Sequence, residues 1–427
     1  MNLRRKTKAI SRHSEPPRRA HWLTRAAVAA GMVALVAVVC AASWAPASSA
    51  SSSKVPKISI SSFNLGFTVM PKLKALTAAG TGLVGAILPT TIGSARYTEF
   101  DAPYLKRAFQ AAGYKSSQYV ITNAGGSDAT ELAMAEADIT KGAKVLVMDP
   151  QDSTVGNEIQ SYAASHGVAL ISYDRATFQG KNTYYVSFNN FRVGQLIGNG
   201  FKSCVSAWGV TNPHVFELDG GENSDPNAIS FAQGYNSVIW GTQKTPLSPP
   251  MTSSLGYSLV GDQIETDWVP ATGQTIFAQQ FTAHPDINAT VEANDDGANA
   301  VIQVLKSKGV KPMAIPTTGQ DSTMEGMQNI LTGYQCGSVY KPIYLEAQDA
   351  VALATILRAG QKPPRALLNA KTVDPANSSI TEPASLLTPK WVTASNIEST
   401  VIKDKFISAS QLCPAVGASV CSQYGIH

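Results

Sequence analysis

Short apolar runs alternate with stretches of helical pattern along most of this chain, and that alternation limits the fold more than any other feature. "LVGAIL" is followed by "EFDAPYLKRAFQAAG", "YVIT" by "DATELAMAEADITKG", and "VLVMDP" by "TVGNEIQSYAASHG"; "VALISYD" and "TYYVSFNN" come next. Strands separated by whole helices cannot pair as hairpins. They lie parallel, each reached by a helical crossover. The rhythm then restarts. "FRVGQLIGNGFKSCVSAW" reads as helix, "HVFELDGG" as strand and "NAISFAQGYNSVI" as helix, while "YSLVGDQIE", "ATVEAND", "MAIPTTGQD" and "GSVYKP" read as further strands. No Pro- or Ser-rich linker divides the two series. The expected fold is α/β, with two doubly wound parallel-sheet lobes sharing the strands that cross between them.

Charge narrows the function. The 427 residues carry 34 Lys and Arg against 30 Asp and Glu, but eight of those bases and one acid fall in residues 1–50. Without that segment the balance is 26 against 29, a net of −3. A mildly acidic body argues against nucleic acid as partner, which needs clustered positive charge. The basic segment itself, ending at Arg25, runs into "AAVAAGMVALVAVVCAA" and then "SWAPASSA". That order reads as a signal peptide over 1–50, cleaved after Ala50. A retained anchor and a lipid on Cys40 are the alternatives, and bulky Val39 disfavours the lipid. Four cysteines remain, Cys204, Cys336, Cys413 and Cys421. Their even number in an exported chain suggests two disulfides. Three pairings are open; the short loop "PAVGASV" favours Cys413–Cys421, with Cys204–Cys336 as the partner pair.

Motifs for catalysis and cofactors are missing. "GTGLVG", with Gly80, Gly82 and Gly85, precedes its strand, whereas a dinucleotide fingerprint follows one. There is no Walker A loop, no H-E-x-x-H and no G-x-S-x-G, and the histidines lack ligand spacing. Neither cofactor nor metal nor enzymatic activity is expected.

The positive signal lies at the carboxyl ends of the strands, where open parallel sheets bind ligands. "TTIGSARY" brings Arg96, beside Tyr97. "VALISYDR" ends in Asp174 and Arg175. "HVFELDGGENSDPN" leads to Asp225 and Asn227, and "QIETDW" to Trp268. "VEAND" carries Asn294, "TTGQD" ends in Gln320 and Asp321, and "SVYKP" holds Lys341. Carboxylates, amides, cations and an indole suit a neutral polyol: charged groups bond hydroxyls strongly, and an indole covers the C–H face of a sugar ring. Each also has a plainer reading. Asp and Asn before helices cap them; Arg175 could pair with Asp174 at the surface; Trp268 could be core; Lys341 could sit in a solvated turn. Asp321 is freed from capping if Ser322 and Glu325 form the box.

These residues, with "YYVSFNNFRVGQLIG", "VEANDDGANAVIQVL", "TTGQDSTMEGM", "SVYKPIYLEAQDAVALATILRAGQKPP" and "LLTPKWVTASNI", resemble the periplasmic-type sugar-binding proteins of ABC importers, in particular the D-xylose-binding proteins. The resemblance implies a type I periplasmic binding fold and a cleft lined by Arg96, Asp174, Arg175, Asp225, Asn227, Trp268, Asn294, Asp321 and Lys341. It also implies crossings near Ser187–Asn190, Tyr340–Pro342 and Leu386–Thr388. Lobe 1 is then 83–187 with 341–385, and lobe 2 is 188–340. Residues 51–82 form a linker and short helical lead-in, and 386–427 the third crossing and tail. The implied function is a monomer that captures a monosaccharide, with D-xylose favoured among pentoses, and delivers it to an ABC permease in the membrane. The alternative is the extracellular sensor of a two-component or chemotaxis system. Thr90 and Pro226 depart from the family pattern near the expected cleft and put the choice of sugar in question.

Overall fold

The computed structural model describes residues 54–178, 183–221 and 225–427. The leader and Cys40 lie outside the described residues. Among those described, no helix is long and apolar enough to cross a membrane.

Among the described residues thirteen strands form: β1 Leu83–Leu88, β2 Tyr119–Asn123, β3 Ala143–Met148, β4 Ala169–Tyr173, β5 Thr183–Phe188, β6 His214–Gly220, β7 Met251–Thr252, β8 Ser258–Glu265, β9 Ala289–Glu292, β10 Ser338–Tyr340, β11 Ala370–Val373, β12 Thr381–Leu387 and β13 Lys390–Val392. The helices are α1 Lys74–Ala79, α2 Ala102–Ala111, α3 Asp128–Thr140, α4 Ser153–Ser165, α5 Asn190–Ala207, α6 Pro226–Ile239, α7 Pro270–Ala283, α8 Asp295–Ser307, α9 Met324–Leu331, α10 Ile343–Arg358, α11 Ala409–Val416 and α12 Ala418–Gln423.

The larger sheet runs β11-β12-β5-β4-β3-β1-β2 and is parallel except for β11. Its central strands β1, β3, β4 and β5 are buried on both faces, as their apolar runs require. Ile87, Leu146 and Leu170 face Ala135, Ile159 and Ala163 of α3 and α4. Leu88, Val145, Val147 and Ile171 face the other way, onto Ala347, Val351 and Leu353 of α10. The smaller sheet runs β7-β8-β6-β9, with only β7 antiparallel. Here too neighbours on one strand point to opposite cores: Val215 packs with α5 and α6, and Phe216 with Phe277, Val301 and Leu305 of α7 and α8.

Two readings need correction. "MAIPTTGQD" is not a regular strand and contributes one isolated bridge, Gln320 with Val339. Proline explains part of this, since Pro316 has no N–H to give. Side chains supplement the few backbone bonds that remain, such as Thr290 N to Pro316 O at 3.0 Å. Thr318 N donates to Glu292 Oε2 at 2.8 Å, and Glu292 N donates to Thr318 Oγ1 at 2.9 Å. The start of α9 lies one residue later than a Ser322 cap would place it. Thr323 caps it, its hydroxyl accepting from Gly326 N at 3.1 Å, because Asp295 Oδ2 fixes Thr323 N at 2.8 Å.

The sulfur atoms of Cys204 and Cys336 are bonded, as are those of Cys413 and Cys421. The first pair ties α5 to the segment entering β10. The second joins α11 to α12, which cover the apolar cluster around Phe406, Leu412 and Ile426.

Candidate ligand-binding site

The carboxyl ends of the two parallel sheets face one another, and the segments leaving them enclose one cavity. Its walls contain all nine residues that the resemblance implies for the cleft, together with Ser94, Tyr97, Phe231 and Gln320. It is small, with about 20 Å³ of room for the centres of water molecules, enough for about one.

Arg96, in the segment after β1, is buried and uses four of its five N–H donors. Nε and Nη2 donate to the two oxygens of Asp101 at 2.9 Å each, Nη1 to Asp174 Oδ1 at 2.7 Å, and Nη2 also to Glu346 Oε2 at 3.1 Å. The planar fork suits this bidentate grip. Tyr173 adds a hydroxyl donor to Asp101 Oδ1 at 2.5 Å. Asp174 ends β4 with φ at +58°. Burial pushes its carboxyl up, but Arg96, Lys341 and Arg175 outweigh burial and hold it at about 2.

Arg175 is not a surface partner of Asp174. It is buried, and Nη1 donates to the carbonyls of Pro150 and Gln151 at 3.0 and 2.9 Å. Its Nε lies 3.0 Å from Asp225 Oδ2, across the cleft. Asp225 has several duties: it caps α6 by accepting from Asn227 N at 2.8 Å, and it accepts from Trp268 Nε1 at 3.0 Å. Asn227 is occupied by scaffold. Nδ2 donates to the carbonyl of Asp174 at 2.8 Å, and Oδ1 accepts from Tyr185 and Asn190.

Trp268 belongs to cavity and core alike. It is 6% exposed, clusters with Phe231 and other apolar residues, and stands edge-on to Phe231. Gly220 makes room for it, since a Cβ there would sit 2.0 Å from the indole. Asn294 caps α8 by accepting from Gly297 N at 2.7 Å, so the plainer reading of an Asn before a helix holds for it too. Asp296 instead accepts from Ala95 N at 3.0 Å, a bond between the two sides of the cleft. Lys341 is buried, not solvated: Nζ lies 3.0 Å from Asp321 Oδ1 and 3.8 Å from Asp174 Oδ1.

Sequence reasoning passed over Phe231 and Ser94. Phe231 could have been found, because it lies four residues after Asn227 on the same helix and so shares its face. The two departures from the family pattern do not line the cavity. Thr90 Oγ1 accepts from Ile92 N and Gly93 N, shaping its own turn. Pro226 opens α6 and lines a neighbouring pocket with Phe178 and Tyr185.

Among the described residues, Glu217, Asp219 and Asp262 are close enough to gather round an ion. Protein donors already reach them, Trp240 Nε1 at Glu217 and Leu247 N at Asp262. Burial, with Asp219 beside it, pushes Asp262 up to about 8, so that carboxyl holds a proton at neutral pH.

A family model described as a periplasmic binding protein domain matches residues 85–362. The D-xylose-binding periplasmic protein of Escherichia coli K12 is 32% identical over 294 residues, covering 68% of this chain and 82% of that protein. A multiple sugar-binding periplasmic receptor of Rhizobium radiobacter is 30% identical over 344 residues, covering 78% and 93%. Among solved structures, a carbohydrate transporter solute-binding protein of Chloroflexus aurantiacus in complex with D-glucose superimposes with a TM-score of 0.63 at 27% identity, covering 77% of this chain and 98% of that one. By its fold, the placing of its cavity and these matches, the chain belongs to the periplasmic binding protein family, whose members bind ligands and are not enzymes.

Proposed function

We propose that this protein is exported, captures a monosaccharide in the cavity between its sheets and delivers it, as a monomer, to an ABC permease. D-xylose is the favoured sugar. The observation that carries the reading is the cavity's charge: three cations, Arg96, Arg175 and Lys341, against three carboxylates, Asp174, Asp225 and Asp321, all buried. A wall with no net charge favours a ligand with none. Each charged group still makes strong bonds to hydroxyls. Trp268 supplies an apolar face, and Asn294, whose oxygen caps α8, keeps its NH2 for a ligand.

The cavity has room for about one water, so a sugar ring enters only if the walls part. Among the contacts that must yield are Arg175 with Asp225 and Lys341 with Asp321, which sugar hydroxyls then replace, and also Ala95 N with Asp296 and Asn227 with the carbonyl of Asp174. Movement about crossings near Ser187–Asn190, Tyr340–Pro342 and Leu386–Thr388, between a lobe of 83–187 with 341–385 and a lobe of 188–340, would admit it. The relatives named for D-xylose and for multiple sugars support the class and favour the pentose.

Thermal melting of the leaderless protein against a panel of pentoses and hexoses tests this. D-xylose at a hundredfold excess over its dissociation constant should stabilise by about 2.7 kcal/mol. If no pentose or hexose shifts the melt, the reading is wrong.

A further inference from the structure

Beside the cavity, at the end of β3, stands a carboxylate that the strand ends also supplied and that has no evident task. Asp149 is fully buried, and neither oxygen accepts a hydrogen bond. Its backbone is fixed, with N donating to Ile87 O at 3.0 Å. The nearest cation is Arg175, whose Nε lies 3.8 Å from Asp149 Oδ1 and 3.0 Å from Asp225 Oδ2, aligned for a hydrogen bond to neither. Nη1 is held by the carbonyls of Pro150 and Gln151, immediately after Asp149. The guanidinium is therefore pinned at one end, on the Asp149 side, with Nε poised between two carboxylates.

We propose that Asp149 is the positioning residue for Arg175: it receives Nε when a sugar takes over Asp225, and so aims the guanidinium into the cavity. This rests on the sugar-binding reading. A buried carboxylate without a bond is costly unless another state pairs it. Among the described residues the one cation within 4 Å of Asp149 is Arg175, and pairing in that direction frees Asp225 for hydroxyls.

A pH signature follows. With Arg175 leaning to Asp225, burial holds Asp149 well above the usual carboxylate range, with Asp174 adding to this and Arg175 opposing it. Arg96 and Asp101 also act on it; Tyr97 acts on both Asp149 and Arg175, and Glu131 and Asp225 act on Arg175. Pairing with Arg175 lowers the carboxyl, so sugar binding releases a proton. Affinity then rises with pH until Asp149 is ionised in the free protein.

The test compares wild type with Asp149→Asn by calorimetric titration of D-xylose from pH 5 to 9, alongside ligand-free melting. The variant should bind about tenfold more weakly at neutral pH and lose the rise with pH, while melting no lower than wild type. Equal affinity with an equal pH profile overturns the proposal, as does an early melt with affinity intact. The NMR signal of the Arg175 Nε–H gives a readout that does not need sugar or a folded variant. It should shift as the pH of wild type is raised far enough to ionise Asp149; a signal unmoved through that titration overturns the proposal. If wild type binds none of the sugars, the function falls and that signal still decides the swivel.

Discussion

The two walls of the cavity are built on different principles. The larger sheet contributes Arg96 and Asp174, which satisfy each other inside a buried ion network with Asp101 and Glu346. The smaller sheet contributes Asp225 and Asn294, whose side chains also start α6 and α8. A network is stiff because each member leaves an uncompensated charge if removed. A cap is worth about 1 kcal/mol and tolerates replacement. The first wall therefore reads as a fixed platform and the second as the adjustable side.

The strongest challenge to that contrast is Arg96→Met. It strands Asp101, Asp174 and Glu346 in the interior, and ligand-free stability should fall by roughly 3–5 kcal/mol in urea unfolding. An unchanged midpoint would remove the distinction between the walls.

Trp268→Ala comes next. The indole is shared between core and cavity, so the variant should lose about 3 kcal/mol of stability and also bind D-xylose at least tenfold more weakly. Loss of only one of the two would assign Trp268 to that role alone.

Asp321→Ala should weaken sugar binding by about tenfold and lower ligand-free stability by ~1–3 kcal/mol, since Lys341 then keeps only the longer contact to Asp174. Reading Asp321 as free of structural duty was incomplete: it has no cap to make, but it holds a buried ammonium. Calorimetry and melting on the one variant separate the two contributions.

A last expected effect, that of pH, is spread over several buried carboxyls. Glu131, Glu265, Glu292 and Asp349 are each pushed by burial to about 8, so the folded state binds protons that the unfolded chain has released. Their contribution is complete below the ordinary carboxylate range and is lost as pH rises through about 8. Asp174, held at about 2, acts oppositely, but only below about pH 4. The melting temperature should therefore be higher at pH 5.5 than at pH 8.5; the reverse order would show that these carboxyls are ionised in the fold.

The sequence made the platform's position legible and left its construction hidden. Strand-then-helix periodicity gave both sheets, and polar residues after apolar runs gave Arg96, Asp174, Arg175 and Lys341. Partners were out of reach: Glu346 lies 250 positions from Arg96, and no local pattern links α10 to the segment after β1. The same distance effect misread Arg175, whose obvious neighbour was Asp174 and whose actual partners come from β3 and the start of α6. Asn227 was found by position, yet its amide serves Asp174 O, Tyr185 and Asn190. Asp149 was available by the same strand-end rule, in "VLVMDP", and was passed over. The segment 313–321 misled because its apolar pattern suits a strand, while Pro316 and the Glu292–Thr318 bonds impose another path.

The central claim is that balanced buried charges select a neutral sugar. Calorimetric titration of the leaderless protein with D-xylose and, separately, with D-xylonate tests it most directly. D-xylose should bind one to one with measurable heat, and the anion, whose added charge has no unpaired cation to meet, should bind at least a hundredfold more weakly, about 2.7 kcal/mol. Equal binding of the two, or binding of D-xylonate alone, would contradict the account.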